Sequence, residues 1–307
     1  MTLEAYEVDL HMFKIWMKDR GYTKDTQQGY LNDIQLLCRS LQGKHLTSIR
    51  KIDVMSHLTD ARERGAGDGA RNRALSAIRL FFKVMIEFER MDNNPAVDIS
   101  KSKVEKNRLP IYLEESDLGE LLRSVEGHFR VRDIAMLALM SYCGLRVSEV
   151  SQLDVQDFDS SSGQLSILGK GRKWRYIPLQ PSIIALLKQC LQERIPPKRK
   201  NDHPFFVSRL GRRISRRTVQ FIVERTFEQF KQQHEHIAER KLSAHKLRHS
   251  FATNLLSTDK VDLRTLQELL GHADISTTQI YTHITDKKKK QAMAAVQPDL
   301  PMFADSM

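Results

Sequence analysis

Residues 242–281 read LSAHKLRHSFATNLLSTDKVDLRTLQELLGHADISTTQIY, and how this stretch is read decides the reading of the whole chain. His245 and Arg248 stand three residues apart, so a helix brings them to one face. His272 follows a Leu-Leu-Gly break, and Tyr281 comes nine residues later, after a polar Ser-Thr-Thr run. A guanidinium, two imidazoles and a phenol in so short a stretch point to phosphate chemistry. Arginine presents a planar fork of donors to phosphate oxygens, histidine donates or moves protons near neutral pH, and tyrosine can serve as a nucleophile. His245 and His249 also have the i, i+4 spacing of a zinc-binding helix. Lys246 and Arg248 lie between them, however, and two cations there oppose a metal ion; no glutamate is present to act as a base. No metal and no cofactor are expected.

At 307 residues the chain can bury a sizeable core, most simply in two domains. No apolar run reaches the roughly 18 residues of a membrane span, so no membrane association is expected. The opening MTLEAYEVDLHMF carries acids and lacks a basic-then-apolar leader. Cys38, Cys143 and Cys190 are far apart and form no framework, which fits a reducing cytoplasm. The net charge of +11 favours a polyanionic partner. Residues 1–99 hold 15 Lys and Arg against 14 Asp and Glu, and the remainder holds 34 against 24. The basic excess therefore lies after residue 99. Charge alone does not choose among DNA, RNA and anionic lipid.

Four amphipathic helices are predicted in the first 90 residues: from Tyr6 to Met17, from Thr23 to Leu41, between Lys51 and Arg64, and from Ala70 to Arg90. They make residues 1–99 a small all-α domain. Arg71, Arg73 and Arg79 spread off the core face of the fourth helix as candidates for DNA contact. Asn93-Asn94-Pro95 stops that helix. Residues 100–108, SKSKVEKNR, have little to bury and read as a basic linker. The second domain begins at Leu109-Pro110, with helices expected over Glu114–Val125 and Phe129–Tyr142. Arg146 then falls at a helix start, with Glu149 three residues on, within reach of it or of neighbouring amides. Gln164–Leu168 and Arg175–Leu179 read as strands of a basic hairpin, with Lys170, Arg172 and Lys173 at its turn. Pro181 opens a helix to Arg194. Arg209, Arg212, Arg213, Arg216 and Arg217 cluster around the next helix start and look like phosphate contacts, with steep salt dependence to follow.

Arg146 in GLRVSE, Lys170 in GKGRKWRYIPL, His245 and Arg248 in AHKLRHSFAT, His272 in LLGHADISTTQIY, and Tyr281 follow one another in a set order. That order resembles the tyrosine recombinases of the phage integrase family, nearest to their Xer-like bacterial and transposon-encoded members. The resemblance covers essentially the whole chain. It implies a mainly α fold with a small β-sheet in the catalytic domain, built as a two-domain DNA clamp. The implied divisions are a helical, SAM-like core-binding domain over 1–99, a linker over 100–108, a catalytic domain over 109–290 and a C-terminal tail over 291–307. It further implies that Tyr281 attacks a DNA phosphodiester to leave a 3′-phosphotyrosyl bond and a free 5′-hydroxyl. Arg146 and Arg248 would hold the non-bridging oxygens, and Lys170 would protonate the departing 5′-oxygen. His245 would assist proton transfer, His272 would bond the phosphate, and Glu149 would orient the site. The implied partners are a double-stranded recombination site, a tetramer on two synapsed sites, and a second recombinase or accessory protein. A type IB topoisomerase would share the nucleophile and arginines without exchanging strands. A DNA-binding regulator with a dead catalytic fold would lack covalent chemistry.

Overall fold

The computed structural model describes residues 3–103, 112–169, 174–199, 201–240, 242–257, 261–271, 293–294 and 296. The chain divides into two compact units, Met1–Arg108 and Leu109–Met307.

In the first unit, α1 (Glu7–Asp19), α2 (Lys24–Ser40), α3 (Lys51–Glu63) and α4 (Asp68–Glu87) pack around one core. Local signals set two of the helix starts. Thr23 accepts from the Thr26 N–H at 3.3 Å and caps α2. The glycine-rich run 65–69 separates α3 from α4, but Gly67 is already the N-cap of α4, so the break is shorter than the sequence predicts. Phe13, Met17, Ile34, Leu37, Phe81 and Phe82 are essentially inaccessible to solvent, with Phe13 and Phe81 edge to face at 5.4 Å. A buried phenylalanine here is worth about 3–5 kcal/mol against alanine.

The arginines of α4 are engaged within this unit. Arg73 makes a fork to buried Asp33, at 3.0 and 2.8 Å. Arg79 donates to the carbonyls of Ala96, Val97 and Ile99. Arg71 reaches the Ser100 carbonyl at 3.3 Å, and Asn72 exchanges two hydrogen bonds with Ser102. Residues 100–102, expected to begin a flexible linker, are therefore tied to α4. Residues 104–108 of that stretch lie outside the described residues.

The second unit is built on α6 (Arg130–Tyr142), whose residues 133–142 are buried on every side. Such an all-round apolar helix is a core element rather than an amphipathic surface one. α5 (Glu115–Arg123), α7 (Val147–Gln152), α8 (Pro181–Gln192), α9 (Arg216–Gln233) and α10 (Ala244–Ser257) surround it. Strands β1 (Phe158–Asp159), β2 (Gln164–Leu168) and β3 (Trp174–Pro178) form an antiparallel sheet in chain order. The two-residue β1 was not anticipated, being too short to show alternation. Leu168 pairs with Trp174 and Ile167 with Arg175, so Arg175 shares the inner face with Leu165, Ile167 and Ile177. The last long described element is α11 (Leu263–Leu270), capped by Asp262 at its start and by Gly271 in the left-handed region (φ 62°) at its end.

Candidate active site

Gly144 makes the corner from which the site is built. Its φ of 66° turns the chain between α6 and α7, and a Cβ there would stand 2.6 Å from Phe251 and 2.9 Å from Leu270. The turn delivers Arg146 to the N-cap of α7. Glu149, one turn in, accepts from the Arg146 backbone N–H at 2.7 Å and from its guanidinium at 2.9 Å. The capping and ion-pair readings of this pair therefore both apply.

Glu149 is also the point where three arginines meet. Arg175 reaches it with both terminal nitrogens, at 2.9 and 2.8 Å, and Arg248 stands 3.9 Å away. The C-terminal carbonyls of α11 complete the cage. Leu270 O accepts from Arg146 at 3.3 Å and from Arg248 at 2.6 Å, and Leu269 O accepts from Arg175 at 2.9 Å. A helix C-terminus carries partial negative charge and favours cations. Arg248 additionally donates to the Gly144 carbonyl, so the glycine corner and the arginine fix each other.

Among the described residues the charges of this cage are unbalanced, three guanidiniums to one carboxylate. Burial works against the ionised form of Glu149, yet the hydrogen bonds and charge of Arg175, joined by Arg146, outweigh it and hold the carboxyl below its ordinary value. Burial first, and the Arg146 charge second, draw the Arg248 guanidinium down to about 9, still charged at neutral pH. His245 lies one turn before Arg248 on α10. Burial, then Arg248 and its other cationic neighbours, lowers its pKa, leaving a neutral imidazole that can accept a proton.

Arg146, His245 and Arg248 line one open cleft of about 780 Å³ together with Arg216, Arg217 and Ser215. Arg216 and Arg217 occupy the first turn of α9, whose N-cap Ser215 accepts from the Thr218 N–H at 3.1 Å. Cations at a helix N-terminus are opposed by the helix dipole, so these two do not favour the helix itself. Together they add to an anion-attracting wall.

The remaining expected residues divide. Arg212 is exposed and lines a different groove. Arg213, expected among the phosphate contacts, is held between Asp154 at 2.5 Å and Asp202 at 2.7 Å, with carbonyls of residues 152 and 153 besides. Its charge is answered internally, as that of Arg73 is by Asp33. Lys170, Arg172, Lys173, His272 and Tyr281 lie outside the described residues. Arg175 was missed as a site residue. Its signal was present: a cation at an inward-facing strand position, in register with buried Ile167.

Residues 112–288 match the phage integrase family, and residues 16–87 match the phage integrase N-terminal SAM-like domain. The chain is 35% identical over 307 residues to tyrosine recombinase XerD of Halalkalibacterium halodurans, covering 96% of this chain and 99% of that one. It is 33% identical over 300 residues to tyrosine recombinase XerC of Caldanaerobacter subterraneus, covering 95% and 80%. Among solved structures, the XerH site-specific recombinase bound to palindromic difH substrate is similar at a TM-score of 0.67, with 26% identity over 87% of this chain and 79% of that one. The Tn1549 transposon integrase in complex with circular intermediate DNA shares the fold at a TM-score of 0.69, with 18% identity and coverage of 93% and 98%. A caged cluster of arginines beside His245, in a chain similar along nearly its full length to these recombinases, places the protein: it belongs to the phage integrase family of tyrosine recombinases.

Proposed function

We propose that the cleft holds the scissile phosphate of a DNA recombination site, and that the protein cuts and rejoins strands there by transesterification. One observation carries this reading. Three guanidiniums surround a single carboxylate, and two of them, Arg146 and Arg248, line an open cleft beside His245. A phosphodiester supplies the missing negative charge. The Arg248 side chain uses two of its nitrogens on carbonyls, and a guanidinium has five N–H donors, so donors remain for a non-bridging oxygen.

In this reading the Tyr281 oxygen attacks phosphorus and the bond from phosphorus to the 5′-oxygen breaks. A 3′-phosphotyrosyl bond and a 5′-hydroxyl result. An unperturbed phenol titrates near pH 10, about three units above neutrality, so the tyrosine needs a base and a cationic pocket. Neutral His245 accepts its proton, and Lys170 gives one to the departing oxygen. Arg146 and Arg248 stabilise the charge that builds on the phosphorane-like transition state. Glu149 and Arg175 touch no reacting atom and act as positioning residues, and His272 adds a donor to the phosphate. Arg71, Arg212, Arg216 and Arg217, with Arg172 and Lys173, supply charge toward the DNA backbone, whereas Arg73 and Arg213 serve their carboxylates first. Strand exchange needs two sites and hence four protomers, either of this chain alone or with a related recombinase.

The XerH site-specific recombinase structure is a post-cleavage complex with its palindromic difH substrate, which supports a recombination site as substrate here. Covalent trapping tests the proposal. Nicked duplexes tiling the DNA that flanks the gene are incubated with protein and run on a denaturing gel beside Tyr281→Phe. A protein–DNA adduct that disappears in Tyr281→Phe is expected. An adduct that persists in that variant refutes the assignment.

A further inference from the structure

The Arg213 clamp stands at the joint between two helices that line the cleft, and the chemistry above gives it no part. α7 runs from Arg146 at its N-cap to Leu153 at its C-cap. Six residues at about 1.5 Å each make it a rod of about 9 Å, with the arginine cage at one end. Arg213 holds the other end. One of its terminal nitrogens donates to the carbonyls of Gln152 at 3.1 Å and Leu153 at 3.3 Å. The second donates to Asp154 at 2.5 Å and to Asp202 at 2.7 Å. Two residues further on, Ser215 caps α9, and Ser215, Arg216 and Arg217 line the cleft with Arg146.

The backbone follows the same path. The Phe205 N–H donates to the Leu153 carbonyl at 2.8 Å, and the buried Ser151 hydroxyl donates to the Ile214 carbonyl at 2.9 Å. Val207 and Arg213 form an antiparallel bridge between them. Four acceptors on two segments suit the planar fork of a guanidinium; an ammonium, a point charge on a flexible stem, does not hold them together. The charge of the clamp argues against a direct hold on phosphate. Among the described residues two carboxylates face one guanidinium, so the cluster is net negative, two residues from a wall that attracts anions. Acid side chains 32% and 35% exposed at that place oppose a polyanion. What they provide is the hold on Arg213.

We propose that Arg213 is a positioning residue of the cleft: by tying the C-terminal end of α7 to the start of α9, it sets where Arg146 stands relative to Arg216 and Arg217. This rests on the reading of the cleft as a DNA phosphodiester site. Glu149 fixes Arg146 at its own end of α7, so slack at the far end tilts the rod rather than releasing it. A tilted guanidinium loses its alignment with the phosphate oxygens in the transition state, where its contribution is largest. The clamp therefore acts on the rate of cleavage at bound DNA, and Asp202 acts with Arg213 rather than against it.

Full-length Asp202→Ala, Arg213→Lys and the two combined are compared with the parent on the nicked duplexes used for trapping. Adduct formation is followed over a single turnover, at saturating DNA and well below each melting temperature. The two roles of Arg213 differ in sign. An Arg213 that grips phosphate is freed by Asp202→Ala, which also removes a negative charge, so binding tightens and cleavage holds or rises. Arg213→Lys keeps the charge and then stays close to the parent. The positioning role predicts instead that each single variant forms adduct about 10–10²-fold more slowly. The double variant should be no slower than the slower single, because both remove one tie. Asp202→Asn keeps the shape but makes the bond a neutral, weaker one, and should fall between Asp202→Ala and the parent; it gives the same comparison if Asp202→Ala does not fold. The inference is overturned if the Asp202 variants cleave at or above the parental rate, or if the loss is confined to melting temperature, which marks a tie that only stabilises the fold. A parent that forms no adduct sinks the phosphodiester reading as well, whereas parental cleavage by the variants sinks this inference alone.

Discussion

Asp33 and Glu149 are both buried carboxylates that meet arginine, yet they sit in opposite electrostatic designs. In the first unit Asp33 has one partner among the described residues, Arg73, whose side chain is 60% exposed, so the pair is neutral and its cation can still reach water. In the second unit Glu149 serves Arg146, Arg175 and Arg248, and two of those guanidiniums are 9% exposed or less. Charge–charge repulsion among desolvated cations is unfavourable and is tolerated only where something else holds the cluster in place. Here a carboxylate and three backbone carbonyls hold it, at Gly144, Leu269 and Leu270. A balanced pair in one unit secures a fold. An unbalanced cluster in the other is ready for an anion.

That contrast is sharpest on deletion of the carboxylate. Glu149→Ala leaves buried guanidiniums without their counterion and should cost about 3–5 kcal/mol, read as loss of amide-exchange protection in α7 and α10. Asp33→Ala leaves Arg73 free to hydrate, and α2 and α4 should lose about 1.5–3 kcal/mol by the same readout. Equal losses would break the comparison.

The glycine turns offer a second version of it. Gly144→Ala places a left-handed alanine against Phe251 and Leu270 and moves the carbonyl that Arg248 uses. Gly21 has a similar φ of 71° with nothing within 4 Å of a Cβ. Gly21→Ala should cost about 1–2 kcal/mol, the left-handed strain alone. Gly144→Ala should cost more, and should lower DNA cleavage as well as melting temperature.

Protonation gives a signed test. The folded Glu149 carboxyl lies below its ordinary 4.5, so its stabilisation is complete above that pH and is lost as pH falls through the lower folded value. Glu149→Gln should remove that acid-side slope in the exchange protection of α7. His245 is also held below its ordinary 6.5, so it stays neutral, and able to accept a proton, to a lower pH than an exposed histidine. The acid limb of cleavage, measured under conditions that report the free enzyme, is expected below pH 6.5. The smallest effect belongs to the exposed wall: Arg217→Ala should weaken DNA binding a few-fold and reduce the salt slope by about one unit.

Much of this was legible in the residues because it is local. Helix periodicity, Pro181 as a helix opener and the Thr23 cap depend on a few neighbouring positions, and the Arg146–Glu149 pair is one helical turn. What escaped was set by distant partners. Nothing near Arg213 reveals Asp154 and Asp202 as its joint partners, nor does α4 reveal that Arg73 answers Asp33 forty positions away. Arg175 is an intermediate case. Strand parity marked it as inward, but only the fold shows that inward means Glu149 and the end of α11.

Arg146 offers the most direct test of the surplus-charge account. Its side chain is 36% exposed, and its removal leaves Glu149 bonded to Arg175, so the cage survives without it. Single-turnover adduct formation by Arg146→Ala on a nicked substrate is the measurement, with DNA affinity and melting temperature taken on the same sample. The account predicts affinity within a few-fold of the parent and cleavage about 10²–10³ slower. Cleavage at the parental rate by folded, DNA-bound Arg146→Ala would contradict it.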